Sequence, residues 1–337
     1  MGAFETVWGR YRSFAPGILL SVAVAAVAAA LQQVPGMYFL SPLIIAAVLG
    51  MAWRSAVGVP DRAWVGIQFA AKGLLRAAIV LLGLQISLGH IIETGWVGFM
   101  VAGIAVVSTF FFTIWFGRLI GADSAMVELL AAGTAVCGAS AIVATNTVTR
   151  ARDEDVTYAL GSITFFGTLA VLVYPVLLVL LDLSPGQYGL WVGASIHEVA
   201  QVVAAGFQGG SEAGHVATIV KLIRVLLLAP LLLLLAWSKK APGTDGRSAG
   251  RQGIPVFVLG FLAVVVANSM LGLPEEATKA AGFVTLAMLT ISLAAIGLLT
   301  SVGNVLARGM KPLAVAAGST LFIAAACLIL SLSVGVL

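Results

Sequence analysis

The sequence predicts an all-α polytopic membrane protein with about eleven transmembrane helices. Three observations support this: the composition, the spacing of apolar stretches and the distribution of basic residues. Of the 337 residues, 61% are hydrophobic and 9% are charged, against roughly 25% charged residues in an average soluble domain. Lipid solvates apolar helices of about 20 residues, because such helices satisfy their own backbone hydrogen bonds. The composition therefore excludes a soluble enzyme, and the net charge of +4 is no sign of nucleic-acid binding.

Eleven apolar stretches follow one another along the chain. No gap between them is long enough for a soluble domain, so we expect residues 1–337 to form one integral membrane domain. The segment 238–254, rich in Gly, Pro and charges, is expected to be a cytoplasmic linker between two halves. The stretches are about 15–31, 39–53, 74–90, 96–117, 125–149, 156–181, 188–207, 215–237, 255–271, 280–302 and 313–336.

The 18 Lys and Arg residues are distributed unevenly between the loops. If the N-terminus is cytoplasmic and the stretches alternate, 13 of them lie in cytoplasmic loops and three on the opposite side. The remaining two, Lys221 and Arg224, lie within the eighth stretch. Basic residues are normally in excess in cytoplasmic loops. The pattern therefore predicts a cytoplasmic N-terminus and a C-terminus on the other side of the membrane.

An internal repeat links the third stretch to the tenth. Residues 83–95 and 297–309 share the pattern G-L-x-x-S-x-G-x5-G at an offset of 214 residues. The two copies are seven stretches apart in the series, an odd step, so they would cross the membrane in opposite directions. Inverted repeats of this kind are typical of secondary transporters, although small residues in a Gly-rich chain can also match by chance.

The middle of the fifth stretch is polar where Leu and Val would be expected. Gly138 can interrupt the helix there, and Ser140 can cap a second half-helix. The free amides at the start of such a half-helix attract an anion. We therefore predict Thr134, Cys137, Gly138, Ser140 and Asn146 as substrate-binding residues. The alternative is close helix packing through small residues.

The seventh stretch contains His197, Glu198 and Gln201, which we predict to be coupling residues. The spacing Ser195-x-x-Glu198 is that of a capping box, and it predicts a second interrupted helix starting near Ser195. A carboxylate in a low dielectric and an imidazole can both exchange protons near neutrality. The alternative is a buried polar cluster that holds helices together.

Lys221 and Arg224 are one helical turn apart in the eighth stretch and therefore share one face. We predict that they bind the substrate anion or pair with Glu198, and a purely structural ion pair is the alternative. Cys137 and Cys327 lie in apolar runs, and the three histidines show no metal-ligand spacing. We therefore expect no metal and no cofactor.

Several runs of the sequence resemble the sulfate exporter family (YeiH-like), over about residue 39 to the C-terminus. This resemblance implies a bacterial inner-membrane transporter, so the side of the membrane to which the charge pattern assigns the C-terminus would be the periplasm. It also implies a relationship to the bile-acid symporter and sodium/proton antiporter superfamily. The runs are Ser41–Ile44, Leu75-Arg76 with Gly83, Thr134–Ile142, Phe166–Leu169, Tyr174-Pro175, His197–Gly206, and Ala217–Lys221 with Arg224.

In that superfamily, two inverted repeats each supply an interrupted helix, and the two helices cross antiparallel at mid-membrane. The charge pattern of this chain instead makes its fifth and seventh stretches parallel. Either the second interrupted helix lies elsewhere, near Ser292–Thr300, or the chain order is rearranged.

The main functional hypothesis is a secondary active exporter of a small inorganic or organic anion, such as sulfate or a sulfonate, coupled to H⁺ or Na⁺. Its expected partners are the anion and membrane lipid but no nucleic acid, and a homodimer is compatible with the related folds. A cation/proton antiporter is the alternative, disfavoured because Glu198 is the one mid-stretch carboxylate. A membrane enzyme with Cys137 as nucleophile and His197 as base is a further alternative.

Overall fold

The computed structural model describes residues 2–34, 41–238, 256–300 and 310–334. These residues form helices joined by short turns, and no strand occurs among them, which confirms the all-α prediction. The helices are α1 Gly2–Gln32, α2 Pro42–Ala56, α3 Asp61–Phe69, α4 Leu75–Leu82, α5 Leu88–Ile120, α6 Ser124–Ala132, α7 Ala139–Thr149, α8 Asp153–Leu180, α9 Pro185–Ser195, α10 Val199–Gln208, α11 Ser211–Leu226, α12 Leu228–Ser238, α13 Val256–Leu271, α14 Glu275–Leu299 and α15 Met310–Ser333.

Within the described ranges, seven helical stretches are long and apolar enough to cross a membrane, and α2 and α13 are shorter apolar helices. The third predicted stretch has the wrong bounds. Helices α3 and α4 join through a π turn, Ala70–Leu74, into one helical run from Asp61 to Gln85. Lys72 and Arg76, which the charge count placed in a cytoplasmic loop, therefore lie within this run, exposed on one face. The predicted linker beyond Ser238 lies outside the described residues.

The chain forms two compact units, and the first comprises residues 1–88 and 259–301. Glycines let its helices pack at very short distances. A Cβ atom at Gly50 of α2 would overlap the Ala294 carbonyl of α14, and one at Gly297 would overlap the Ala47 carbonyl. Small residues are the usual means of close helix packing in membranes. These contacts hold α2 against α14.

The internal repeat is also visible in the helix bounds. Asp61 begins a helix 214 residues before Glu275 does. Both long runs then end in extended backbone at equivalent positions, Ile86 and Thr300. The remainder of the second copy, residues 301–309, lies outside the described residues.

The second unit comprises residues 89–258 and 302–337, and its first interrupted helix is a hairpin. The chain breaks at Gly138, as predicted, but α7 returns alongside α6. Ile142 of α7 belongs to the same apolar cluster as Leu130 of α6. Asp123, which caps the start of α6, interacts electrostatically with Arg152, just beyond the end of α7. The two ends of residues 124–149 therefore lie together.

The second interrupted helix is also a hairpin. The Tyr188 hydroxyl of α9 donates to the Ala205 carbonyl of α10 at 3.1 Å. Gly193 of α9 and Gly206 of α10 both lie against Ala217 of α11. A continuing helix would separate these residues by several turns. The chain therefore reverses at the extended segment 196–198.

The two hairpins approach each other from opposite ends of α15. Lys311 at the start of α15 donates to the Gly121 carbonyl beside the first hairpin at 3.3 Å. Further along, Thr320 contacts His197 at the second tip, and the Ala324 carbonyl accepts from Trp191 of α9. The π turn of the first tip also packs on α15. The two tips therefore meet near the middle of this helix.

Contacts with α11 and α12, which follow each other along the chain, also place the two hairpins at opposite ends. Helix α11 packs on the second hairpin, and α12 packs on α7 of the first. The expectation that the two interrupted segments run in parallel is therefore wrong. Charge counting assumed that each stretch crosses once, whereas each hairpin returns. At the alternative position for the second interruption, α14 is continuous from Ser292 to Leu299 and ends in extended backbone at Thr300, and the residues that follow lie outside the described ranges.

Cysteine labelling tests the hairpin topology, using four exposed positions that flank the hairpins. Arg118→Cys and Asp153→Cys should react with a membrane-impermeant maleimide from one side of the membrane. Leu181→Cys and Ser211→Cys should react from the other side. The wild-type chain controls for background, because both of its cysteines are buried. Labelling of positions 118 and 153 from opposite sides would contradict the hairpin.

Close packing between α2 and α14 predicts that Gly50→Ala lowers thermal stability. The added methyl group overlaps a backbone carbonyl, and overpacking typically costs about 1–3 kcal/mol. Thermal unfolding in detergent measures the effect. Gly103→Ala is the control, because a Cβ atom there meets nothing within 4 Å. Equal melting temperatures for the two variants would contradict this packing.

Candidate functional site

The tip of the first hairpin consists of a π turn, Gly133–Cys137, followed by Gly138. Gly138 has φ 67° and ψ −122°, a conformation that an L-residue adopts only with strain. A Cβ atom on Gly138 would also lie 2.7 Å from Cγ of Glu198 in the second tip. Glycine is therefore needed both for the chain reversal and for the contact between the two tips.

Two buried cations lie against the ends of the incoming helices α6 and α9. Arg224 and Lys221, both 0% exposed, project from α11. Arg224 donates through Nε and Nη2 to the Thr134 and Ala135 carbonyls at 2.8–3.1 Å, and through Nη1 to the Gly193 and Ile196 carbonyls at 3.1 and 2.9 Å. Lys221 Nζ donates to the Val136 and Ile196 carbonyls at 2.8 and 2.9 Å.

These bonds satisfy carbonyls that have no intrahelical partner at a helix C-terminus, where a cation also opposes the helix dipole. The five N–H groups of Arg224 match its five hydrogen bonds to backbone carbonyls. Arg224 could bind a substrate directly only by releasing one of them. It nevertheless places a positive charge between the two tips. Direct substrate binding by Lys221 and Arg224 stays a prediction.

Glu198 and Gln201 form a capping box at the start of α10. The Glu198 amide donates to Gln201 Oε1 at 3.1 Å, and the Gln201 amide group donates to the Thr164 carbonyl and the Thr168 hydroxyl. The Thr164 hydroxyl lies 3.1 Å from Glu198 Oε1 and 2.9 Å from the Leu160 carbonyl, and its single proton is shared between these two acceptors. Helix α8 therefore orients two of the three predicted coupling residues, Glu198 and Gln201. Glu198 itself is half-buried.

His197 is held by α15 and has one nitrogen without a partner. The Thr320 hydroxyl donates to the Ala316 carbonyl at 2.8 Å and lies 3.3 Å from His197 Nε2. Its single proton is thus used, so Nε2 donates to Thr320 and Nδ1 is the acceptor nitrogen. Within the described part of the chain, the buried Nδ1 atom has no hydrogen-bond partner. Leaving such an atom unsatisfied costs about 1–3 kcal/mol.

The start of α7 differs in detail from the prediction. Gly138, not Ser140, is the N-cap residue. Ser140 is exposed, and its hydroxyl lies 2.7 Å from Sγ of Cys137. Thr134 is buried beside Arg224, and its hydroxyl has no partner among the described residues. Asn146 lies away from the tips, because it is in the last turn of α7 and accepts from the Ala151 amide at 2.8 Å.

The start of α10 also lies three residues later than predicted. Ser195 is the last residue of α9, and its hydroxyl donates to the Trp191 carbonyl at 2.6 Å. Its oxygen accepts from the Tyr174 hydroxyl at 3.0 Å, so it cannot cap α10. The predicted spacing of a capping box was present, but Glu198 and Gln201 form the box instead.

Sequence reasoning missed the residues of α8 and α15 that orient the two tips. Thr164, Thr168 and Thr320 are lone hydroxyls in long apolar helices, where threonine usually bonds only to its own helix. Gly167, on the same helix as Thr164, is the residue whose type could have indicated this contact. A Cβ atom there would overlap the Gln201 side chain, so this glycine makes room for the carboxamide.

Together, the helical fold and the paired hairpin tips define a polytopic membrane protein with a buried cationic centre. The comparisons agree with this class. A family profile described as "Conserved hypothetical protein 698" matches residues 16–316. The chain belongs to this family, whose curated relatives are UPF0324 membrane proteins.

Two relatives illustrate the similarity. A UPF0324 membrane protein of Pseudomonas putida is 38% identical, covering 94% of this chain and 93% of its own. One of Corynebacterium glutamicum is 37% identical, covering 93% of this chain and 90% of its own. Both come from bacteria, and neither name states a substrate or a reaction.

The carbonyl contacts predict that Arg224→Gln destabilises the protein in the absence of any ligand. Glutamine cannot replace five N–H donors, so buried carbonyls lose their partners. We expect a loss of about 3 kcal/mol or more, measured by thermal unfolding in detergent. Arg118→Gln, at an exposed position on α5, is the control. Wild-type stability of Arg224→Gln would show that these bonds contribute little.

Proposed function

We propose that this protein is a secondary active transporter of a small anion in the bacterial inner membrane, coupled to H⁺ or Na⁺. The observation that carries the proposal is the meeting of two hairpin tips, which approach from opposite ends, around Lys221 and Arg224. These cations lie near the middle of the apolar stretch Ser211–Trp237. Ionisable residues at such a depth are costly and generally mark a transport pathway.

The charge at the tips favours an anion over a cation. Each helix end carries a partial charge of about half a unit, and the ends of α6 and α9 cancel the starts of α7 and α10. Lys221, Arg224 and an ionised Glu198 then leave about one net positive charge. A cation carrier would require the opposite sign, so the cation/proton antiporter is the weaker candidate.

The accessible side of the tips is the start of the returning helices. Ser140 is exposed, and Ala139, Glu198 and Val199 are half-buried, whereas the ends of α6 and α9 are buried. Amides at helix starts bind oxyanions. We therefore place the substrate beside Cys137, Gly138 and Ser140. Asn146, at the base of the hairpin, is not part of this proposal.

The hairpins also support the proposed orientation, with a cytoplasmic N-terminus and a periplasmic C-terminus. With both ends of the first hairpin on one side, Arg150 and Arg152 join the cytoplasmic loops. Lys279 is then the one basic residue assigned to the periplasmic side. The basic residues are thus more asymmetric than in the eleven-crossing arrangement, as the positive-inside rule favours.

Sulfate or a sulfonate as substrate, and export as the direction, follow from the resemblance to the sulfate exporter family. The enzyme alternative has less support from the contacts. Cys137 pairs with Ser140, and His197 Nε2 faces Thr320. A nucleophile and its base need a mutual hydrogen bond, and no Cys137–His197 bond occurs in the described structure.

Ligand-dependent thermal stability of the purified protein tests the proposal. The anions are sulfate, thiosulfate, sulfite, taurine, phosphate, chloride and citrate, with sodium varied separately. A sulfur oxyanion at a hundredfold excess over its Kd should stabilise the protein by about 2.7 kcal/mol. Stabilisation by sodium alone would contradict anion binding, and flux into liposomes would follow a positive result.

Ser140→Ala should weaken binding of the stabilising anion by up to about tenfold, the equivalent of one lost hydrogen bond. Ser55→Ala is the matched control, because Ser55 is an exposed serine on α2 whose hydroxyl donates to its own helix. Equal affinity for both variants would remove Ser140 from the site.

A further inference from the structure

We propose that the Glu198 carboxylate competes with the transported anion for the starts of α7 and α10, so that one proton binds together with each anion. This inference rests on the proposed function and names its coupling ion. In the anion-free protein, Glu198 would occupy the site as an internal anion. Protonation would release it, and the substrate would take its place.

The position of Glu198 supports the competition. It is the N-cap of α10, and its side chain lies against Gly138, the N-cap of α7. The carboxylate is therefore at the positive ends of two helix dipoles. An oxyanion bound to either helix start would share this space, and two anions there would repel each other.

The surroundings of Glu198 suit a carboxylate that exchanges a proton. The Thr164 hydroxyl contacts its Oε1 atom, and Lys221 interacts with it electrostatically. Glu198 is half-buried, so a proton can reach its carboxylate from outside the protein. Gln201 and Thr168 hold the backbone of the tip in place, and the side chain can move without unfolding α10.

A second observation points to a ligand at this junction. His197, the residue before Glu198, has its carbonyl 3.4 Å from the Cβ position of Gly138. Its buried Nδ1 is an acceptor without a partner among the described residues. A bound water would satisfy it, whereas ionised sulfate has no proton to donate. The Thr134 hydroxyl of the first tip is also buried without a partner among the described residues, and it can donate to an anion oxygen.

Other titratable groups on the elements packed around Glu198 are less suited to this exchange. Tyrosine, cysteine, lysine and arginine ordinarily titrate above neutrality, and Asp155 is paired with Arg152. His197 is buried and its Nε2 proton is used on Thr320, and His215 lies against Phe207 at the other end of α10. Asp153, Glu154 and Glu212 are in the first turns of α8 and α11, and Glu128 is ten residues before Gly138 on α6. The remaining groups on α8, α9, α11, α15 and the π turn are Tyr158, Tyr174, Tyr188, Lys221, Arg224, Lys311, Cys137 and Cys327.

Sulfate binding measured at different pH tests the inference, because sulfate stays fully ionised in this range. We expect wild-type affinity to fall as pH rises, by up to about tenfold per unit for one linked proton. By reciprocity, sulfate should cause uptake of about one proton per site. Isothermal titration calorimetry of the purified full-length protein at pH 5.5 and pH 7.5, and a pH dye in weak buffer, give the two quantities.

Glu198→Gln should bind sulfate with the same affinity at both pH values, at least as tightly as wild type at pH 5.5, and without proton uptake. Glu212→Gln, at an exposed position on α11, should keep the wild-type pH dependence. Thr164→Val is a second variant, which removes the hydroxyl that can donate to the ionised carboxylate. That charge-assisted bond is stronger than the bond that a protonated Glu198 could donate to Thr164. Thr164→Val should bind sulfate more tightly than wild type at pH 7.5.

The outcomes separate the two proposals. Sulfate binding by the wild type that does not change with pH would overturn the competition, and so would proton uptake that persists in Glu198→Gln. Neither result would contradict the proposal of anion transport. Sulfate binding that Glu198→Gln abolishes, while its melting temperature stays that of wild type, would also overturn it. Failure of wild type to bind sulfate at either pH would overturn the competition, and the other anions would then decide the proposed function.

Discussion

The structure depends on how the ends of two half-length helices are satisfied inside the protein. Helices α6 and α9 stop at buried positions, where their last carbonyls cannot reach water. Lys221 and Arg224 bond those carbonyls from a single helix and oppose both helix dipoles at once. The arrangement keeps the incoming ends buried and leaves the starts of α7 and α10 accessible.

Much of the fold follows from local signals in the sequence. Apolar runs marked the helices, and Gly138 marked the first break. The direction of the chain after each break could not be predicted, because it depends on distant contacts. Packing of Ile142 near Leu130 and the bond from Tyr188 to Ala205 reverse the chain. A helix breaker shows where a helix stops, whereas tertiary packing decides where the next one goes.

The sequence analysis identified several residues of the candidate site correctly, but it did not predict most of their contacts. Lys221, Arg224, His197 and Glu198 do lie around one junction. Side-chain charges suggested that the cations would face an anion or Glu198, but their hydrogen bonds go mainly to the backbone. Counting charges omits the carbonyls that a broken helix exposes. Asn146 was assigned to the site because it shares a polar stretch with Gly138, although it lies two turns or more away.

The capping of the first hairpin also constrains the order of assembly during synthesis. The Thr134 carbonyl has no access to its hydrogen-bond donor Arg224 until that residue, 90 positions later in the chain, has been synthesised. Until α11 emerges and enters the membrane, the first tip must be shielded by water, by lipid head groups or by the insertion machinery. Insertion of α11 would then fasten both hairpins in one step. The carbonyls of both tips therefore gain their partners only after α11 has been made.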